Sequence, residues 1–145
     1  MNLEELIADW ESDSQIDSTT LDQESLKQPK LHSKWVTRLT KNKVKVFKIE
    51  KELAEAKSML TRYYNGLMDQ EELKELGRPQ YQYKTPLKTE LERLLESDQI
   101  VLDIKQRYYY YTILAEYCED VLKAIRDRGF SIRTAVDWQR FVAGN

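Results

Sequence analysis

The chain has 145 residues, of which 33% are charged and 41% hydrophobic, with a formal net charge of −2, four glycines, three prolines and one cysteine. That length suits one domain, and so few turn-forming residues favour long helices over a many-turned β fold. No run of about 18 apolar residues is present to span a membrane, the acidic start lacks the basic and apolar parts of a signal peptide, and a lone Cys118 excludes an internal disulfide and fits a reducing compartment; a soluble, intracellular, all-α protein is expected.

Residues 1–26 carry eight acids and no base, whereas residues 27–48 carry eight bases and no acid. The net charge hides this division. Leu3, Leu6, Ile7 and Trp10 predict a short amphipathic helix over 3–11, followed by a polar break at Ser12–Gln15. Asp17, Ser18 and Thr19 offer caps for a second segment bearing Leu21 and Leu26, and Pro29 predicts a boundary before the next helix, because the residue ahead of a proline avoids the α region.

The strongest periodicity follows. Trp35, Leu39, Asn42, Val46, Ile49, Leu53, Ala56, Leu60 and Tyr63 alternate spacings of four and three, which is a heptad seam polar only at Asn42. Asn65-Gly66 supplies the stop. Asp69–Leu76 reads as a short helix closed by Gly77. Pro79, Tyr81 and Tyr83 alternate in a loop or short extended piece. Thr85-Pro86 places a cap and a first-turn proline before a helix running to about Glu96. Ser97-Asp98 caps a long helix with Ile100, Ile104, Tyr108, Tyr111, Ala115, Cys118, Leu122 and Ile125 on one face. Gly129 is expected to end it, and a last helix carries Ile132, Ala135, Val136, Trp138, Phe141 and Val142.

The expected organisation is a single helical domain, residues 1–145. It comprises an acidic segment (1–26), a basic heptad helix (30–66), a connecting loop with short helices (67–97) and carboxyl-terminal helices (98–145). A helical hairpin or bundle follows, with apolar faces wide enough to make a homo-oligomer.

No catalytic residue, metal site or cofactor is expected. His32 is the only histidine, and Cys118, its one formal nucleophilic partner, lies on an apolar helix face where small cysteines are ordinary packing. Clustered ligands at metal-binding spacing and phosphate-cradling glycine motifs are both lacking. The positive signal is instead the basic block. Lys34, Arg38, Lys41, Lys45 and Lys48 repeat at four and three, forming a stripe about 21 Å long beside the seam. A solvated helix face usually mixes signs for pairing at i, i+4, and this one carries a single sign until Glu52 and Glu55. With Arg62 and Tyr64 at the end of the same helix, and Tyr81 and Tyr83 beyond, the pattern fits a phosphate-tracking surface with aromatics for base stacking. Helix-turn-helix or zinc-finger spacing for reading base edges is not found.

Several collinear segments sharpen this. Ile113–Cys118 (ILAEYC), Leu122–Ile132 (LKAIRDRGFSI) and Arg140–Gly144 (RFVAG) resemble the UvsY recombination mediator family of T-even-type bacteriophages. So do Ile16–Thr19 followed by Leu21, Ser33-Lys34-Trp35, and Tyr63-Tyr64-Asn65-Gly66. The resemblance runs nearly end to end. It implies a small helical protein assembling into a ring, a hexamer or heptamer, in the cytoplasm of the infected bacterial host. Such a protein binds single-stranded DNA, displaces the phage single-strand-binding protein and loads a UvsX-type recombinase for recombination, repair and recombination-dependent replication.

The family's DNA-binding motif is a Lys-Ala-Arg-Leu string ahead of the Tyr-Tyr-x-Gly. Here the stretch reads Lys57-Ser58-Met59-Leu60, with Met59 in place of the arginine, so Arg62 and the stripe are expected to take over some of the charge. The family's carboxyl-terminal helices are associated with assembly, which assigns Ile104, Tyr108, Tyr111, Ala115, Leu122, Ile125, Trp138 and Phe141 to that role. The alternative of another class is a non-catalytic coiled-coil scaffold whose basic stripe pairs with an acidic protein partner.

Overall fold

The computed structural model describes residues 1–144. Its elements are α1 (Leu3–Asp13), α2 (Leu21–Tyr64), α3 (Gln70–Leu76), α4 (Lys88–Ser97) and α5 (Gln99–Val142), with no strand among the described residues. None of these helices is long and apolar enough to cross a membrane. The chain packs as two compact units. Unit 1 comprises Met1–Val44 and the stretch from Tyr111 onward, and unit 2 comprises Lys45–Tyr110.

In unit 1, α1 opens with a capping box. The Asn2 side chain accepts from the Glu5 amide at 2.8 Å, and the Glu5 carboxylate accepts from the Asn2 amide at 2.9 Å. Satisfying two free donors in this way lets an 11-residue helix form where isolated helices of that length are marginal. Its apolar face then buries Leu6 against Leu31, Trp35, Leu114, Cys118, Val121 and Ile125, with Leu3, Trp10, Leu39 and Tyr111 at the margin. Trp35 is fully enclosed, with Trp10 edge-on at 6.0 Å between ring centroids and Tyr117 at 6.4 Å. Burial pushes the Cys118 thiol up, against the opposing influence of Arg38 and of the Asn42 side chain. The seam residue Asn42 is buried and donates to the Arg38 carbonyl at 2.9 Å, so its amide is satisfied by its own helix.

Two expected boundaries in unit 1 are absent. Pro29 lies inside α2, which begins at Leu21, and Gly129 lies inside α5, which runs unbroken to Val142. A proline inside a helix forfeits one backbone hydrogen bond and clashes with the preceding turn, at a cost of about 3 kcal/mol. Here that turn is fastened from outside. Arg128 donates to the Gln28 side-chain oxygen at 2.8 Å and to the Glu24 carbonyl at 3.3 Å, and it forms a buried ion pair with the Glu24 carboxylate. The Gln28 amide in turn donates to the Ile125 carbonyl at 2.7 Å. Gly129 serves the same crossing: a Cβ there would stand 3.1 Å from the Gln28 side-chain nitrogen. Its glycine makes room for a neighbouring side chain and does not end the helix.

Unit 2 follows its predicted punctuation more closely. α2 stops at Tyr64, with Gly66 in the left-handed region at φ +72°. α3 is capped by Asp69, which accepts from the Glu72 amide at 2.8 Å, and closed by Gly77 at φ +75°. α4 starts at Lys88 with Leu87 at the cap position, later than Thr85-Pro86 suggests. Asp98 caps α5, accepting from the Ile100 amide at 2.9 Å. The core of this unit is Leu60, Tyr63, Tyr64, Met68, Leu73 and Val101, flanked by Leu53, Met59, Leu91, Leu94 and Leu95.

Candidate nucleic-acid interface

The acidic segment now has a structural role within unit 1. Packing of Leu6 and Trp10 lays α1 beside the first turns of the basic block. Asp9 and Asp13 then meet Lys34, at 2.9 Å and 2.7 Å respectively. Asp9 also pairs with Arg38, and Asp13 accepts from the Trp35 indole N–H at 3.0 Å. The Arg38 guanidinium rests on the Trp35 ring, 4.6 Å from its centroid. Burial raises the Asp9 carboxyl, but the hydrogen bonds and charges of Lys34 and Arg38 outweigh it and hold it below the usual carboxylate range. Conversely, burial lowers the Lys34 ammonium, and Asp13 and Asp9 together bring it above the ordinary lysine value. Glu24 answers a third base, Lys27, at 2.7 Å.

The five-membered stripe is therefore divided by charge neutralisation. Lys34 and Arg38, expected to face DNA, are half-buried and committed to α1. Lys41 in unit 1 and Lys45 and Lys48 in unit 2 are exposed. Lys41 and Lys48 have no ion-pair partner among the described residues. Lys43, which lies outside the stripe, pairs loosely with Glu119 at 3.4 Å.

The remaining candidates lie in unit 2. Lys57 meets Glu96 at 3.0 Å, and Glu96 also pairs with Lys105. Arg62 meets Glu72 at 2.7 Å with half of its side chain exposed. Tyr64 is placed where a base cannot reach its face. It is buried, and its hydroxyl donates to Asp98 at 2.7 Å. Burial and the adjacent Asp98 carboxylate push that hydroxyl up to about 12. The same carboxylate takes both arms of the Arg78 guanidinium at 2.7 Å and 2.8 Å. Arg78 also covers the Tyr63 ring, 5.2 Å from its centroid. The sequence identified Asp98 as a cap, but its pairing with a residue 20 positions earlier has no local signature.

Most residues expected at an oligomer interface are used within the chain. Ala115, Leu122, Ile125 and Tyr111 belong to or flank the unit 1 core. In unit 2, Ile104 is buried, and Tyr108 is half-buried with its hydroxyl 3.4 Å from a Glu50 carboxylate oxygen. The physical reason is the width of the α5 apolar face, which the other helices of each unit cover. Trp138 and Phe141 are different. They are 63% and 72% exposed, with their rings stacked at 5.6 Å.

Comparison with known proteins gives a consistent result. Residues 9–145 match the family model described as the recombination, repair and single-stranded-DNA-binding protein UvsY. The recombination protein uvsY of Enterobacteria phage T4 is 32% identical over 144 residues, covering 99% of each chain. A crystal structure of the bacteriophage T4 recombination mediator protein UvsY, lattice type II, superposes with a TM-score of 0.86 at 30% identity, covering 99% of this chain and 98% of that one. A second crystal form, lattice type III, gives 0.76 at 27% identity, covering 99% of each.

Proposed function

The chain belongs to the UvsY family of recombination, repair and single-stranded-DNA-binding proteins, and on that premise we propose that it is a phage recombination mediator that binds single-stranded DNA without sequence preference, displaces the single-strand-binding protein and loads a UvsX-type recombinase. The observation that carries it is the match over nearly the full length in both sequence and fold. The mechanism is competitive binding without turnover. Each subunit offers several weak phosphate contacts, and joining subunits in one particle multiplies them through effective concentration.

The contacts we assign are Lys41, Lys45 and Lys48 of α2, with Lys57 and Arg62 nearer its end. Lys57 and Arg62 are partly exposed, and an exposed salt bridge is worth only about 0–1 kcal/mol, so phosphate can replace Glu96 and Glu72 at small cost. Lys34 and Arg38 hold α1 in place. Single-strand binding loses about 0.7 in the slope of log K against log[salt] per phosphate contact removed. A Lys41/Lys45/Lys48 triple alanine variant is therefore expected to bind a single-stranded oligonucleotide more weakly, with a slope shallower by roughly 2. Fluorescence anisotropy at several salt concentrations measures both quantities, and an unchanged slope refutes the assignment.

A homo-oligomer, hexamer or heptamer, completes the proposal. Support comes from the apolar end of α5, where Trp138, Phe141 and Val142 stand exposed in a charge-rich chain. Light scattering of a Trp138→Ala/Phe141→Ala variant is expected to show a smaller particle than the wild type. The rival coiled-coil scaffold pairs its basic stripe with an acidic protein partner, and it is expected to show no length-dependent affinity for single-stranded oligonucleotides.

A further inference from the structure

Unit 2 holds an open groove of about 530 Å³ whose lining includes Tyr81, Tyr83, Lys84, Glu90, Arg93 and Leu94. That volume falls within the roughly 300–1,000 Å³ typical of small-ligand sites. Its construction begins in the core. Tyr81 packs edge-on to Tyr64 at 5.0 Å and lies 5.9 Å from Tyr63. The Tyr63 hydroxyl donates to the Pro79 carbonyl at 3.0 Å and ties down the start of the segment. Tyr83 is next in the series, 5.4 Å from Tyr81, and is 79% exposed. A row of rings anchored in the core thus ends on one ring with its face in solvent. Tyr83 sits at a bend in the connecting loop, and its ring lies against that of Tyr81.

Two cations, Lys84 and Arg93, accompany this ring on the groove lining. Both are exposed, and neither has an acidic partner among the described residues. Glu90 is the one acid on the lining, and it can accept from an amino group while repelling phosphate. Resting on the single-stranded-DNA reading above, we infer that this groove is a nucleotide subsite. Tyr83 stacks one base, and Lys84 and Arg93 neutralise the phosphates on either side of it. An aromatic platform beside cations is the arrangement that holds single strands regardless of sequence. A protein helix would instead require several apolar pockets at i, i+3 and i+4 spacing; the groove offers only Pro86 and Leu94 as aliphatic lining.

The test is a binding comparison between a labelled oligothymidine and an abasic strand of the same length, using the full-length protein. Tyr83 is exposed, so its replacement leaves the core intact. Loss of one stacked base corresponds to about 5- to 150-fold in affinity. Tyr83→Ala is expected to lose at least about fivefold on oligothymidine and less than about twofold on the abasic strand, and Tyr83→Trp to recover the lost affinity. The Lys84→Ala/Arg93→Ala variant is expected to weaken both strands alike, with a salt slope shallower by about 1.4. Wild-type binding to oligothymidine with no Tyr83→Ala loss, or with equal loss on both strands, overturns the subsite and leaves single-strand binding standing. Absence of wild-type binding to either strand overturns both.

Discussion

Replacing Trp35 with alanine is expected to destabilise the protein by about 3–5 kcal/mol, the range for emptying a fully packed aromatic site. Trp35 is 0% exposed and sits at the centre of the unit 1 cluster. Its removal leaves a cavity against Leu6, Leu31 and Leu114, and it strips Trp10 and Tyr117 of their edge-on neighbour. It also leaves the Asp13 carboxylate without the indole donor and the Arg38 guanidinium without the ring beneath it. Trp35→Phe retains most of the packing and loses only the hydrogen bond and part of the volume, so it falls well short of the alanine loss. Leu87→Ala, at a residue 73% exposed, stays within about 0.5 kcal/mol of wild type. Urea unfolding followed by circular dichroism measures all three. An alanine variant with unchanged midpoint and slope contradicts the central role of Trp35.

The second large effect lies in unit 2. Arg78→Ala removes both donors that neutralise Asp98, whose side chain is 1% exposed. Breaking a buried pair from one side costs about 3–5 kcal/mol, and the 24% exposure of Arg78 places this case near the lower figure. Arg78→Lys keeps the charge but not the two-armed geometry, so an intermediate loss is expected. The pair also predicts a pH dependence. Burial raises the Asp98 carboxyl, but Arg78, the Tyr64 hydroxyl and the Ile100 amide outweigh it, and it ionises below its ordinary range. In the unfolded chain an aspartate titrates near about 3.9 and so takes up protons before the folded one does. The stability contributed by Asp98 is therefore complete above that value and is lost as pH falls through its lowered folded value. Asp98→Asn is expected to flatten the decline in unfolding midpoint between about pH 5 and pH 2. Asp9, Asp17, Glu24 and Glu96 are lowered too, so a residual decline persists. An Asp98→Asn profile as steep as the wild type contradicts the assignment.

Local chemistry made much of the fold legible. The seam from Trp35 to Tyr63 is buried or half-buried throughout, because a four-three alternation places one face of a helix against neighbours whatever they are. The stops at Gly66 and Gly77 and the cap at Asp98 are backbone requirements met by the residue itself. Pro29 and Gly129 read as breaks because their local cost is real. Arg128, Glu24 and Gln28 compensate it across about 100 positions of sequence, which no window along the chain contains.

The candidate interface divides in the same way. Residue identity and helical period alone establish which residues are charged and that Lys41, Lys45 and Lys48 share a face of α2. Which of those charges are already paired depends on packing between segments distant in the chain. Packing of Leu6 and Trp10 brings Asp9 and Asp13 onto Lys34 and Arg38, and packing of Tyr64 beneath Asp98 and Arg78 removes it from solvent while Tyr83 remains outside. Pairing energy depends on separation in space, and spatial separation between distant segments is set by the core each unit buries.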